Sequence, residues 1–305
     1  MNKKFGISSS ILFVSCLFIL VVGCKSGNNS PVTEEISVPS TGNEAIYADI
    51  SKADKIFSAL PSPLESAQLI KSAGAKFDEK QMNSLDNVDK YVTTKSMALN
   101  LGVYTCDLSF ASMYEQTQLI VDYMSAAKKM ADGLGILDAI SEETINRLEE
   151  NINNKEEILN AVSETFLNSN SYLEENGQPA VAAMVLVGGW FEGLYISTQL
   201  VDMNNFNGNK LVSSIIDQKL SIDLLINLLD GHKGNPAVDE IIAQVRKLKV
   251  VFDKISIKSS AVQTEYDESS NSTMIKSKVT TDMTPEVFKE LMTTVTEIRS
   301  SFVKI

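Results

Sequence analysis

The segment VAAMVLVGGWFEGLYISTQLV, residues 181–201, decides the fold. At helical spacing it is apolar around its whole circumference, with Gly188, Gly189 and Gly193 in its middle and Glu192 as its only charge. A helix apolar on every side must be covered on every side, by lipid or by other helices. Its length would span a bilayer, but Glu192, Gln199 and the three glycines argue against that, and the flanking segments are amphipathic like those of a soluble bundle. The reading is a central apolar helix inside an all-α multi-helix bundle.

The surrounding segments supply the cover. Leu99, Val103, Cys106, Phe110, Met113, Thr117, Ile120, Met124, Ala127, Ala131 and Leu134 alternate spacings of four and three, which keeps one seam against a partner helix over many turns. Val238, Ile241, Val245, Leu248, Phe252 and Ile255 repeat the idea, as do Val287, Leu291, Val295, Ile298 and Phe302. Between those two helices, residues 256–283 are rich in Ser, Thr and Lys, with Val262, Thr264 and Tyr266 alternating. That stretch reads as a small β-hairpin turning near 269–272, or as a loop, and it is a candidate partner contact.

Helix ends are well marked. Ser62-Pro63-Leu64-Glu65 places a capping hydroxyl, a first-turn proline and a glutamate able to reach back to the cap. Asn154 with Glu157, Asn235-Pro236, and Thr284-Pro285-Glu286 follow the same logic. Gly133 and Gly135, Gly177, Gly208, and Gly231 to Gly234 mark the stops.

The first residues read as export and attachment signals. Lys3 and Lys4 precede an apolar run from Ile7 to Gly23, and Val21-Val22-Gly23-Cys24 has the form of a lipobox. The expected organisation is a lipoprotein signal peptide over 1–23, a flexible tether over 24–42 and a helical-bundle domain over 43–305. Cys24 would carry diacylglycerol and a further acyl chain, and each buried methylene contributes about 0.8 kcal/mol of membrane attachment. The Ser, Gly, Asn and Pro content after Cys24 cannot bury enough surface to fold. Lys25 in place of an acidic residue points to the outer membrane, facing the periplasm.

Charge excludes one class of partner. Cleavage after Gly23 would remove Lys3 and Lys4, leaving 25 basic against 39 acidic residues and moving the formal charge from -12 to -14. Such a domain is repelled by phosphate backbones, so no nucleic acid is expected, and the acyl chains must supply the hold on the lipid bilayer. Cys16 would leave with the signal and Cys24 would be acylated, so Cys106 is the one free thiol, on an apolar stripe and without an adjacent base.

Two buried carboxylates need an account. Glu192 sits among Trp190, Tyr195 and the glycines, while Asp107 lies near Tyr104 on the earlier seam. A buried carboxylate must be hydrogen-bonded, paired or protonated, and Lys, Arg, Tyr or Ser from a facing helix would satisfy it. The glycines each cost about 1 kcal/mol against alanine in a helix interior, so they demand a reason. Either another backbone approaches closely, or small residues open a ligand cavity beside Trp190, Tyr195 and Glu192. An acid/base pair of Asp107 and Glu192 would suit an envelope enzyme acting on a glycan or lipid, but nothing in the sequence brings the two together. With a single histidine, His232, in a helix-ending turn, no metal and no cofactor is expected.

The strings LGVYTCDL, residues 101–108, and GGWFEGLY, residues 188–195, together with the lipobox, resemble a group of uncharacterised helical envelope lipoproteins of Bacteroidetes-type bacteria. The resemblance implies a cell-envelope location and no activity. From the sequence, the expectation is a lipid-anchored, periplasm-facing bundle that binds an envelope protein or a small ligand without catalysis. The alternatives are an envelope enzyme and a structural spacer.

Overall fold

A computed structural model describes residues 60–137, 142–151, 153–259, 263–267, 272–276 and 279–304. The signal peptide, the tether and Cys24 lie outside the described residues. Helix α1 (Pro63–Ser72) opens with the expected capping box: Ser62 Oγ accepts the Glu65 N–H at 3.2 Å, and the Ser62 N–H donates to the Glu65 carboxylate at 2.7 Å. Two short 3-10 turns, Glu79–Gln81 and Leu85–Lys90, lead into α2 (Thr94–Met113). Then follow α3 (Thr117–Gly133), α4 (Glu142–Glu150), α5 (Lys155–Glu175) and α6 (Pro179–Gln199). A 3-10 turn, Met203–Gly208, precedes α7 (Lys210–Asp230), α8 (Pro236–Phe252) and, after the hairpin, α9 (Pro285–Val303). Asn154, Asn235 and Thr284 all cap the helices they were expected to start, each accepting a first-turn N–H.

The central helix is α6. Every residue from 181 to 194 is buried, and α1, α2, α5, α7 and α9 all pack on it. Among the described residues it is the one helix long and apolar enough to cross a membrane, and protein rather than lipid covers most of it. Burying a Leu, Val or Phe side chain contributes about 1.5–3 kcal/mol, so this jacket of helices is the main source of stability. The fold is therefore the multi-helix bundle with a central apolar helix.

The seam read from Leu99 to Leu134 as one continuous line is corrected by the structure. It is broken at Tyr114–Gln116 into α2 and α3, which fold back on each other. Glu115 holds a left-handed φ of 59°, and Gln116 N–H donates to Ala111 O at 3.0 Å, closing α2 as a Schellman turn without glycine. Every residue of α2 from 98 to 113 is buried, so α2 is a second interior helix rather than one with a single apolar face.

Helices α2 and α6 share the most extensive contact of the fold, and glycine makes it possible. A Cβ on Gly188 would stand 1.9 Å from Leu99 O, and one on Gly102 would stand 2.0 Å from Val185 O. The two backbones touch, which is the first of the two reasons offered for these glycines.

The excursion before α9 is a β-hairpin, so the loop alternative falls. Its outer ladder pairs β1 (Ser256–Ser259) with β4 (Val279–Asp282), and its inner ladder pairs β2 (Gln263–Asp267) with β3 (Ser272–Lys276), both antiparallel. The expected turn falls largely outside the described residues, with Ser272 opening β3 opposite Asp267.

Candidate functional site

Asp107 from α2, Glu192 from α6 and Arg299 from α9 converge in the core. Arg299 grips Glu192 with two parallel bonds, Nε to Oε2 at 2.8 Å and Nη2 to Oε1 at 2.7 Å. The guanidinium also lies over the Tyr195 ring, 4.6 Å from its centroid. Glu192 has zero exposure and the Arg299 side chain 12%. Planar, bidentate geometry of this kind is what makes arginine the suitable partner for a carboxylate taken out of water.

Asp107, also at zero exposure, accepts the Asn83 N–H on Oδ2 at 2.9 Å, while no donor reaches Oδ1. Burial raises its carboxyl well above the ordinary range, the Glu192 charge beside it raises it further, and Arg299 opposes both. Burial and the neighbouring carboxylate thus both push Asp107 towards its protonated form. The pair that the sequence could not bring together lies side by side in the core, with Arg299 bound to Glu192.

A polar web surrounds the trio. Asn83 N–Hs reach Tyr91 Oη at 3.0 Å and Asn100 Oδ1 at 3.2 Å, and Asn83 O accepts from Tyr123 Oη at 2.7 Å. Tyr104 Oη donates to Ser84 O at 3.1 Å, and Tyr91 Oη to Val303 O at 3.0 Å. Burial pushes the Tyr104 and Tyr123 hydroxyls up, so they remain donors. The web ties the 3-10 segment to α2, α3 and the end of α9, and its bonds are made within the protein. Its chemistry is architectural.

The expected ligand space beside Glu192 is not where the sequence put it. Backbone of α2 occupies the room around Gly188 and Gly189, as the Gly102 contact requires, and Gly193 faces Ser66, 2.7 Å from where a Cβ would be. Trp190 turns away, its indole N–H donating to Gln218 Oε1 on α7 at 3.0 Å. Beside it lies a recess of about 20 Å³, bounded by Ser66, Gly193, Ser197 and Gln218, with room for one water. Trp190, Glu192, Tyr195, Asp107 and Tyr104 therefore do not line one cavity. Cys106 is buried, and burial pushes its thiol up and away from nucleophilic form. No group of three metal-ligating side chains occurs among the described residues.

Open space lies on the other flank of α2, in a cavity of about 150 Å³ between α2, α3, α4, α5 and α6. Leu101, Leu108, Val162, Phe166 and Val185 form its walls, Met124 and Leu148 its edges, and exposed Ser125 and Lys128 its mouth. Thr165 lines it with a buried hydroxyl that has no partner. The sequence signal for it was faint: Val162, Thr165, Phe166 and Ser169 form an inward stripe on α5 in which polar residues stand where a closed core would carry apolar ones. No known protein family, curated protein or solved structure matches the chain.

Proposed function

We propose that this chain is a lipid-anchored protein of the bacterial envelope whose helical bundle holds a small apolar molecule, without catalysis, in the cavity between α2, α3 and α5. The carrying observation is that cavity: about 150 Å³, walled by aliphatic and aromatic side chains, and provided with a buried, unpartnered hydroxyl, that of Thr165. Binding sites for small molecules have this make-up, a mostly apolar hollow with a few placed polar groups. A spacer has no use for such a hollow, whose lining forfeits packing contacts. An enzyme working through Asp107 and Glu192 would need substrate to reach them, and both are sealed in the core behind Arg299. Acylation at Cys24 gives the reading its location, in the outer membrane facing the periplasm.

The test uses a reporter inside the cavity. With methyl-labelled methionine in the full chain held in lipid nanodiscs, toluene is expected to shift the Met124 methyl resonance saturably. A Met124 signal that stays in place up to the solubility limit of toluene would reject the reading.

A further inference from the structure

The polar groups around the cavity specify its ligand more closely, an inference that rests on the binding reading above. Among the described residues no acidic side chain lines the cavity, although acidic residues outnumber basic ones by 39 to 27 in the chain. The single charged residue at its lining is Lys128, exposed at the mouth and without an ion pair among the described residues. Lys129, next along the chain, is ion-paired with Asp89, and Lys95 with Glu240.

Of the hydroxyls in the wall, those of Thr105 and Ser125 already donate to carbonyls of their own helices, Leu101 O at 2.7 Å and Val121 O at 2.9 Å. Thr165 Oγ1 does not, and it is buried. Among the described residues the cavity thus offers three unused donors, Lys128 and the hydroxyls of Thr165 and Ser169, and no anionic acceptor. A volume of about 150 Å³ is the size that an engineered apolar cavity uses to hold benzene, so the apolar part of a ligand amounts to about six carbons.

We propose that the cavity takes a monocarboxylate with an apolar tail of that size, the tail among Leu101, Leu108, Val162, Phe166 and Val185 and the carboxylate at the mouth with Lys128. Charge complementarity sets the orientation: the ammonium stays in water and meets the carboxylate there, so neither charge has to enter the apolar space.

Three probes with equal tails separate the terms. In the full chain in nanodiscs, followed at the Met124 methyl resonance, heptanoate is expected to bind about tenfold more tightly than heptan-1-ol, the ratio expected for a charge-assisted bond over a neutral one. Heptylamine is expected to bind more weakly than either. Lys128→Gln, a change at an exposed position, should bring heptanoate down to the level of heptan-1-ol and leave heptan-1-ol unchanged. Equal binding of heptanoate and heptan-1-ol, or a preference that survives Lys128→Gln, would overturn the carboxylate proposal while the apolar site stands. Tighter binding of heptylamine would overturn it as well. A Met124 resonance moved by none of the three would overturn both the proposal and the reading beneath it.

Discussion

Burial and the facing Glu192 push the Asp107 carboxyl well above its ordinary range in the folded chain, and this has a consequence for stability against pH. In the unfolded chain an aspartate titrates near 3.9. Between that value and the raised folded value, the native state binds more protons than the unfolded one, so stability falls as pH rises. The contribution is fully present below the unfolded value and is lost as the pH climbs through the window. Asp107→Asn carries an amide N–H where the acid carries its proton, and an oxygen for the Asn83 N–H. The variant is expected to lose less stability than the natural chain between pH 5 and pH 8 in urea denaturation. A natural chain that loses no more stability than the variant over this range would contradict the protonated assignment. The need for a partner at Glu192 was legible in its all-apolar surroundings. Its identity was not, because Arg299 stands 107 residues away and no local pattern encodes a pairing at that distance.

At the scale of elements, the burial of α6 could be read from its composition, whereas that of α2 could not. Asn100, Thr105, Asp107, Ser109 and Ser112 dilute the apolar signal of α2, yet each is satisfied inside the core except for one oxygen of Asp107. Ser109 and Ser112 donate to carbonyls one turn back, at 2.9 and 2.7 Å, as Thr105 does, so polar residues can sit on an interior helix without outside partners. The end of α2 escaped notice for a related reason: Glu115 adopts the left-handed turn that glycine usually marks. The glycine contact between α2 and α6 makes a sharp prediction. Gly188→Ala would drive a methyl into the Leu99 carbonyl of a backbone that cannot step aside, and should cost about 3 kcal/mol or more. Gly133→Ala meets only the flexible end of Met97 and should cost under about 1 kcal/mol. Melting temperatures that fall equally in the two variants would show that the close approach is not what Gly188 provides.

For the molecule as a whole, the bundle class and the position of the hairpin followed from periodicity, while the cavity did not, since it depends on how five helices fail to close. The proposed location of the protein turns on one covalent event. Cells supplied with labelled palmitate are expected to yield labelled protein, and Cys24→Ser should abolish the label and release or stall the chain. An unlabelled natural chain, or a Cys24→Ser chain that stays full-length in the same membrane fraction, would contradict lipid attachment.

Helix α9 ties the last residues of the fold to the first. Tyr91 donates to Val303 O across 212 residues, Asn100 to Phe302 O across 202, and Arg299 neutralises Glu192 from beyond the hairpin. A chain that emerges N-terminus first can assemble α1 to α8 while Glu192 and Asp107 still face each other with no cation between α6 and the open side. Long-range contacts of this kind delay folding, since a large loop must close before they reward it. The bundle is therefore locked by α9, and a nascent chain stays open to chaperones and proteases until Arg299 arrives.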